Sequence, residues 1–124
     1  MDKSVEKTLA FFREISAIPR CSKNEDAVGQ WMTRWASQNG LGGRRDKAGN
    51  VIISVPGSPG YEESGTVVLQ GHLDMVCEKT PDSPHDFSAD PIRVIEEEGW
   101  LKSCGTTLGA DNGIAMALAM DLST

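Results

Sequence analysis

The chain has 124 residues, 39% of them apolar, and a net charge of -6, which is enough for one core and about the size of a single α/β unit. Its acidity and lack of a Lys/Arg cluster exclude a nucleic-acid footprint, because phosphate binding needs a concentrated basic surface. No apolar run is long enough to span a bilayer, and the charged start Met1-Asp2-Lys3 is unlike a secretory signal, so no membrane partner is expected and a cytoplasmic location follows by default.

Val5, Leu9, Phe12 and Ile15 recur at helical spacing and Pro19 ends the pattern, which predicts a packing helix over about Ser4 to Ala17. Ser22-Lys23-Asn24-Glu25 matches a capping box, and Val28, Trp31 or Met32, and Trp35 then share one face of a helix that Asn39-Gly40 ends. The β-branched run Val51 to Val55, preceded by Lys47-Ala48-Gly49-Asn50, predicts a hairpin from about Arg44 to Val55. After the Pro/Gly loop at 56–60, Thr66-Val67-Val68-Leu69-Gln70 reads as a strand that a sheet can bury on both faces.

Cys77 to Pro91 lacks periodicity and reads as an ordered surface loop. Ile92 to Ile95 and Trp100 to Lys102 flank the acidic turn Glu96-Glu97-Glu98-Gly99 as a second hairpin. From Gly113 to Leu122 the chain is apolar all round, the pattern of a helix buried in a larger body, and a domain of this size leaves such a helix partly uncovered. Cys21, Cys77 and Cys104 are odd in number and widely spaced, which is read as reduced thiols in a cytosolic protein.

His72 and Asp74 stand two apart at the expected strand end, so both side chains leave one face while Leu73 points inward. A metal-bound imidazole commonly donates its second N–H to a carboxylate, and Asp74 is placed to accept it from His72. Alone this tripeptide is weak, arising by chance in roughly one such chain in seven. Asp111 adds to it, since it lies in the Gly-rich segment Thr106 to Gly113 at the start of the apolar helix. Asp111 or Asn112 can serve there as a helix N-cap, or Asp111 can give one oxygen to each of two divalent ions; the two roles can coexist.

Gln70-Gly71-His72-Leu73-Asp74-Met75-Val76, Pro84-His85-Asp86-Phe87-Ser88-Ala89-Asp90-Pro91-Ile92 and Gly105-Thr106-Thr107-Leu108-Gly109-Ala110-Asp111-Asn112-Gly113-Ile114-Ala115 together closely resemble the aminoacyl-histidine dipeptidases. These Xaa-His dipeptidases are a bacterial branch of the co-catalytic zinc exopeptidases, and the resemblance covers essentially the whole chain. It implies an α/β fold, a mixed β-sheet flanked by helices, with residues 1–124 the N-terminal part of the catalytic domain. It further implies that His72 ligates one zinc, that Asp111 bridges two, and that Asp74 orients the site. Cobalt and manganese are possible substitutes for zinc.

In that family a Glu-Glu pair supplying the general base and a ligand, a further Asp and a second His come later in the chain, as does a lid domain used for dimer contacts. Glu62-Glu63 and Glu96-Glu97-Glu98 precede Asp111 in expected turns and are not mapped onto the base. His85, Cys77 and Cys104 are left out of the site. The resemblance therefore implies a parent that cleaves dipeptides with C-terminal histidine and forms a homodimer through its lid. The segment by itself is expected to be inactive and to bind metal weakly or not at all. A deacylase or another aminopeptidase of the same superfamily is the near alternative; a non-catalytic α/β binding module is the distant one.

Overall fold

A computed structural model describes residues 2–124. Helix α1 (Lys3–Ser16) begins where Asp2 accepts the Ser4 N–H through Oδ1 at 2.8 Å, satisfying an amide that has no partner inside the helix. It stops before Ile18-Pro19, where a proline disfavours helical backbone in the residue preceding it. Its buried stripe is Thr8, Phe12, Ile15 and Ser16; Phe12 and Ile15 of the expected face are in it, while Leu9 is half-buried and Val5 is exposed. The stripe packs against α3 (Ala110–Ser123), burying Phe12 and Ile15 with Met116, Ala117 and Met120.

One carboxylate ties the two helices at their far ends. Asp121 on α3 accepts from Thr8 Oγ1 at 2.7 Å and Ser4 Oγ at 3.1 Å and pairs with Lys7 at 3.2 Å. The Thr8 hydroxyl is the chief reason the Asp121 carboxyl is held below its ordinary value.

Helix α2 (Asp26–Gln38) buries Val28, Met32, Trp35 and Ala36, and Phe11 meets Trp35 edge to face with ring centroids 5.8 Å apart. It ends as Asn39-Gly40 predicts: Leu41 N–H reaches Ala36 C=O at 2.8 Å and Gly40 N–H reaches Ser37 C=O at 3.1 Å, which closes the last carbonyls in a Schellman arrangement. The expected capping box does not form. Glu25 Oε1 accepts from Lys23 N–H, while Ser22 turns its hydroxyl to Asp74, fifty-two residues away.

The α/β class stands, and its strand content is two small antiparallel pairs. β1 (Gly42–Arg45) pairs with β2 (Val51–Ser54), with Gly42 opposite Ser54, and the pair lies on α2. Asp46 organises the connection by accepting from the N–H groups of Ala48 and Asn50. β3 (Ile95–Glu97) pairs with β4 (Trp100–Lys102), so Glu96 and Glu97 are strand residues and only Glu98-Gly99, both at positive φ, make the turn. That two-residue geometry suits the twist of the hairpin.

Thr66 to Gln70 departs from expectation. It joins no ladder among the described residues, and Val67 and Val68 are 81% and 78% exposed. A strand exists only through a neighbour's backbone groups, and none of the described residues pairs with this segment. The apolar helix α3 is likewise half covered: Met116, Ala117 and Met120 face α1, while Leu118 and Leu122 are exposed.

The cysteine expectation is also corrected. Cys21 and Cys77 form a disulfide with Cα atoms 5.6 Å apart, and Cys104 is free and exposed. An odd count leaves one thiol over without forbidding a pair, and the parallel bridge between Cys21 and Met75 brings the two sulfurs together.

Candidate functional site

The site is assembled by three chain segments far apart in sequence. After Pro19 the backbone runs alongside residues 73–77, joined by the Met75 N–H to the Arg20 carbonyl at 3.0 Å and by the Cys21–Cys77 bridge. This places Ser22 beside Asp74. The third segment, Leu108 to Asn112, enters α3 with non-helical backbone at Asp111 and Asn112 and a cis peptide bond between them. It lies so close to Gly71 that a Cβ there would fall 2.9 Å from Asn112 Nδ2, which accounts for glycine before His72.

All three residues singled out in the sequence meet in one row. His72 Nδ1 lies 3.0 Å from Asp74 Oδ1 and 3.0 Å from the Asp74 carbonyl, and Nε2 lies 3.1 Å from Asp111 Oδ1. Asp74 uses its other oxygen, Oδ2, to accept the Ser22 hydroxyl. The row is thus Ser22, Asp74, His72, Asp111, and its outer end is open: the Asp111 side chain is 96% exposed. Leu73, between the polar pair, packs toward the core as the alternation predicts.

The electrostatics follow from these contacts. The hydrogen bond to Asp111 is the main cause that raises the His72 pKa, burial opposes it, and Asp74 adds to it. An imidazole flanked by carboxylates on both nitrogens is best satisfied as the imidazolium, with two N–H donors. The Ser22 hydroxyl is the main cause that lowers the Asp74 carboxyl; burial opposes it, and His72 adds to the lowering.

These residues fit part of a metal site. With Nδ1–H donated to Asp74, loss of the Nε2 proton would leave a lone pair beside Asp111, the pairing of imidazole nitrogen and carboxylate oxygen that borderline divalent ions take. They do not make a whole one: among the described residues no group of three His, Cys, Asp or Glu is placed to hold an ion, and zinc ordinarily takes three or four protein ligands. His85 stays apart, meeting Phe87 edge to face with centroids 4.6 Å apart, and Cys77 is occupied in the disulfide.

Two participants were not visible in the sequence. Ser22 read as a helix cap, and Arg20 carried no pattern at all. The only trace of Arg20 was indirect, in the glycines at 109 and 113.

No family model matches the chain. The cytosol non-specific dipeptidase of Escherichia coli (strain K12) is 45% identical over 109 residues, which is 88% of this chain and 22% of that protein. The crystal structure of aminoacylhistidine dipeptidase from Vibrio alginolyticus superposes with a TM-score of 0.90 and 46% identity, covering 94% of this chain and 24% of that one. The chain is similar in sequence and in fold to these two dipeptidases. It spans about a quarter of their length or less, and the resemblance first drawn from the His72 and Asp111 segments extends to the three-dimensional fold. No helix among the described residues is long and apolar enough to cross a membrane.

Proposed function

We propose that residues 1–124 form the N-terminal part of the catalytic domain of a zinc-dependent dipeptidase that hydrolyses Xaa-His dipeptides in the cytosol, with His72 a ligand to one ion and Asp111 shared between two. The observation that supports this reading is the orientation of His72, whose Nδ1 is taken by Asp74 and whose Nε2 faces the exposed Asp111. Bound zinc supplies Lewis acidity toward a scissile carbonyl and acidifies water.

The chain's own residues prepare for that. Asp74 fixes the His72 tautomer and ring plane, and Ser22 holds the far oxygen of Asp74 so that the carboxylate keeps its angle. Asp111, open to solvent, has an oxygen free for a second partner. The general base, the remaining ligands and the lid with its dimer contacts belong to parts of the enzyme outside these residues, so the segment alone is inactive and holds metal weakly.

A second reading concerns substrate range, because the Escherichia coli relative is named as non-specific. The test is to express the uninterrupted reading frame that carries residues 1–124 and to assay Xaa-His dipeptides, dipeptides without histidine and acylated amino acids. Hydrolysis of Xaa-His dipeptides, abolished by a chelator and restored by zinc, is expected. Equal rates on dipeptides lacking histidine establish the broader range. Preference for acylated amino acids, or no dipeptide cleavage with zinc, manganese or cobalt, overturns the reading.

A further inference from the structure

Among the described residues Arg20 is the largest fully buried side chain, 1% exposed, yet none of them places a carboxylate within ion-pair distance of it. Burying a guanidinium costs several kcal/mol unless its donors are satisfied. Here backbone carbonyls satisfy most of them: Nη1 donates to Leu73 C=O at 3.1 Å and Asp74 C=O at 3.2 Å, and Nη2 donates to Gly109 C=O at 2.7 Å. The first two carbonyls belong to the segment that presents His72 and Asp74. The third lies two residues before Asp111.

The surrounding sequence is shaped to admit this group. A Cβ on Gly109 would lie 2.7 Å from Arg20 Nη2 and 2.9 Å from Met75 Sδ, and a Cβ on Gly113 would lie 2.8 Å from Nη2 and 3.1 Å from Phe12. Gly109 also sits at φ +80°, which side chains rarely adopt. Both glycines of the Leu108 to Gly113 segment are thus contacts of one guanidinium. The Arg20 backbone carbonyl, bonded to Met75 N–H, anchors the same residue at its other end.

We propose that Arg20 is a positioning residue, a clasp whose planar fork holds the Leu73-Asp74 and Gly109 backbones at the spacing that brings His72 and Asp111 together. It hydrogen-bonds neither side chain and acts through the carbonyls, with its charge also felt at Asp74. A lysine cannot replace it, because an ammonium is a point donor and does not span carbonyls on two segments in one plane. As a proposal about metal ligands it rests on the preceding reading of the site; as a proposal about loop spacing it does not.

The test uses this chain, labelled for NMR, as wild type, Arg20→Lys and Gly113→Ala. The second variant keeps the charge and the donors but takes the space of Nη2. The readouts are the cross-relaxation contact between His72 Hε1 and the Asp111 Hβ protons, the Phe11–Trp35 ring contact as a monitor of the core away from Gly113, and binding of Co2+ by its visible absorption. Loss of the His72–Asp111 contact in both variants, with the Phe11–Trp35 contact kept and Co2+ binding weakened at least tenfold, is expected.

Retention of the His72–Asp111 contact in Arg20→Lys overturns the clasp, whatever the metal does. Loss of that contact in a protein whose wild type takes no Co2+ supports the clasp and counts against the metal reading. Should both variants fail to fold, wild-type hydrogen exchange decides: Arg20 Nη–H exchanging markedly slower than the exposed Arg34 supports the proposal, and equal rates overturn it.

Discussion

His72 and Asp111 meet through Nε2 and Oδ1 at 3.1 Å although thirty-nine residues separate them, and the same imidazole is held from behind by Asp74. A proton and a metal ion therefore compete for one nitrogen. Metal binding must displace the Nε2 proton, so binding of Zn2+ releases protons and weakens as the solution is made more acidic than the His72 pKa.

The imidazole's pKa is raised from its ordinary 6.5. A group raised on folding adds stability that is complete below its unfolded pKa and is lost as pH climbs through the folded one. Asp74, lowered from 3.8, behaves oppositely: its contribution is present above the unfolded pKa and disappears as pH falls through the folded one. Metal-free protein is expected to draw most from this row between those ordinary values. Following His72 Hε1 by NMR should give a midpoint that moves down in Asp111→Asn; an unmoved midpoint contradicts the assignment of Asp111 as the main cause.

Removing the support behind the imidazole tests the orienting role of Asp74. Carboxylates that hold a ligand histidine are commonly worth about 10–100-fold in metal affinity, and Asp74→Ala in the protein expressed from the uninterrupted reading frame is expected to lose that much for Zn2+ in competition with a chelating dye. Ser22→Ala should show a smaller loss in the same direction, since it frees one oxygen of Asp74 and leaves the other.

Phe12 is 1% exposed and stands between α1 and α3. Phe12→Ala is expected to destabilise the protein by about 3–5 kcal/mol, the range for deleting a buried aromatic ring. Urea unfolding followed by far-ultraviolet circular dichroism measures it, and a loss under about 1 kcal/mol would show that the α1–α3 interface is not the main core.

The Cys21–Cys77 bridge closes a long loop, with a sequence separation of 56. The chain-entropy description gives such a closure about 4 kcal/mol. Reductant is expected to lower the urea midpoint of the wild type and to leave that of Cys77→Ser unchanged; equal midpoints for wild type with and without reductant would show that the bridge contributes nothing.

The helices and hairpins were legible in sequence because their causes are local. Phe12 and Ile15 repeat within one helix, Asn39-Gly40 ends another, and Asp46 to Asn50 carries its own turn chemistry. His72, Asp74 and Asp111 were legible as residue types in a distinctive wording, although their contact was not. What stayed hidden depends on distant partners. Ser22 matches a cap locally, and Asp74 outbids the helix for its hydroxyl. Cys21 finds Cys77 only once residues 20–22 lie along residues 73–77. Arg20, a lone cation after a proline, has no periodicity to betray that it is buried.

Thr66 to Gln70 has a practical consequence for handling the protein. Its backbone donors and acceptors join no ladder among the described residues, and Val67, Val68 and Leu69 are exposed beside them. Such a segment is a template for edge-to-edge addition of another chain. Concentrated solutions of this polypeptide are therefore expected to self-associate, with sedimentation that rises with concentration, and a lysine at Val68 should keep the molecule monodisperse without touching the row from Ser22 to Asp111.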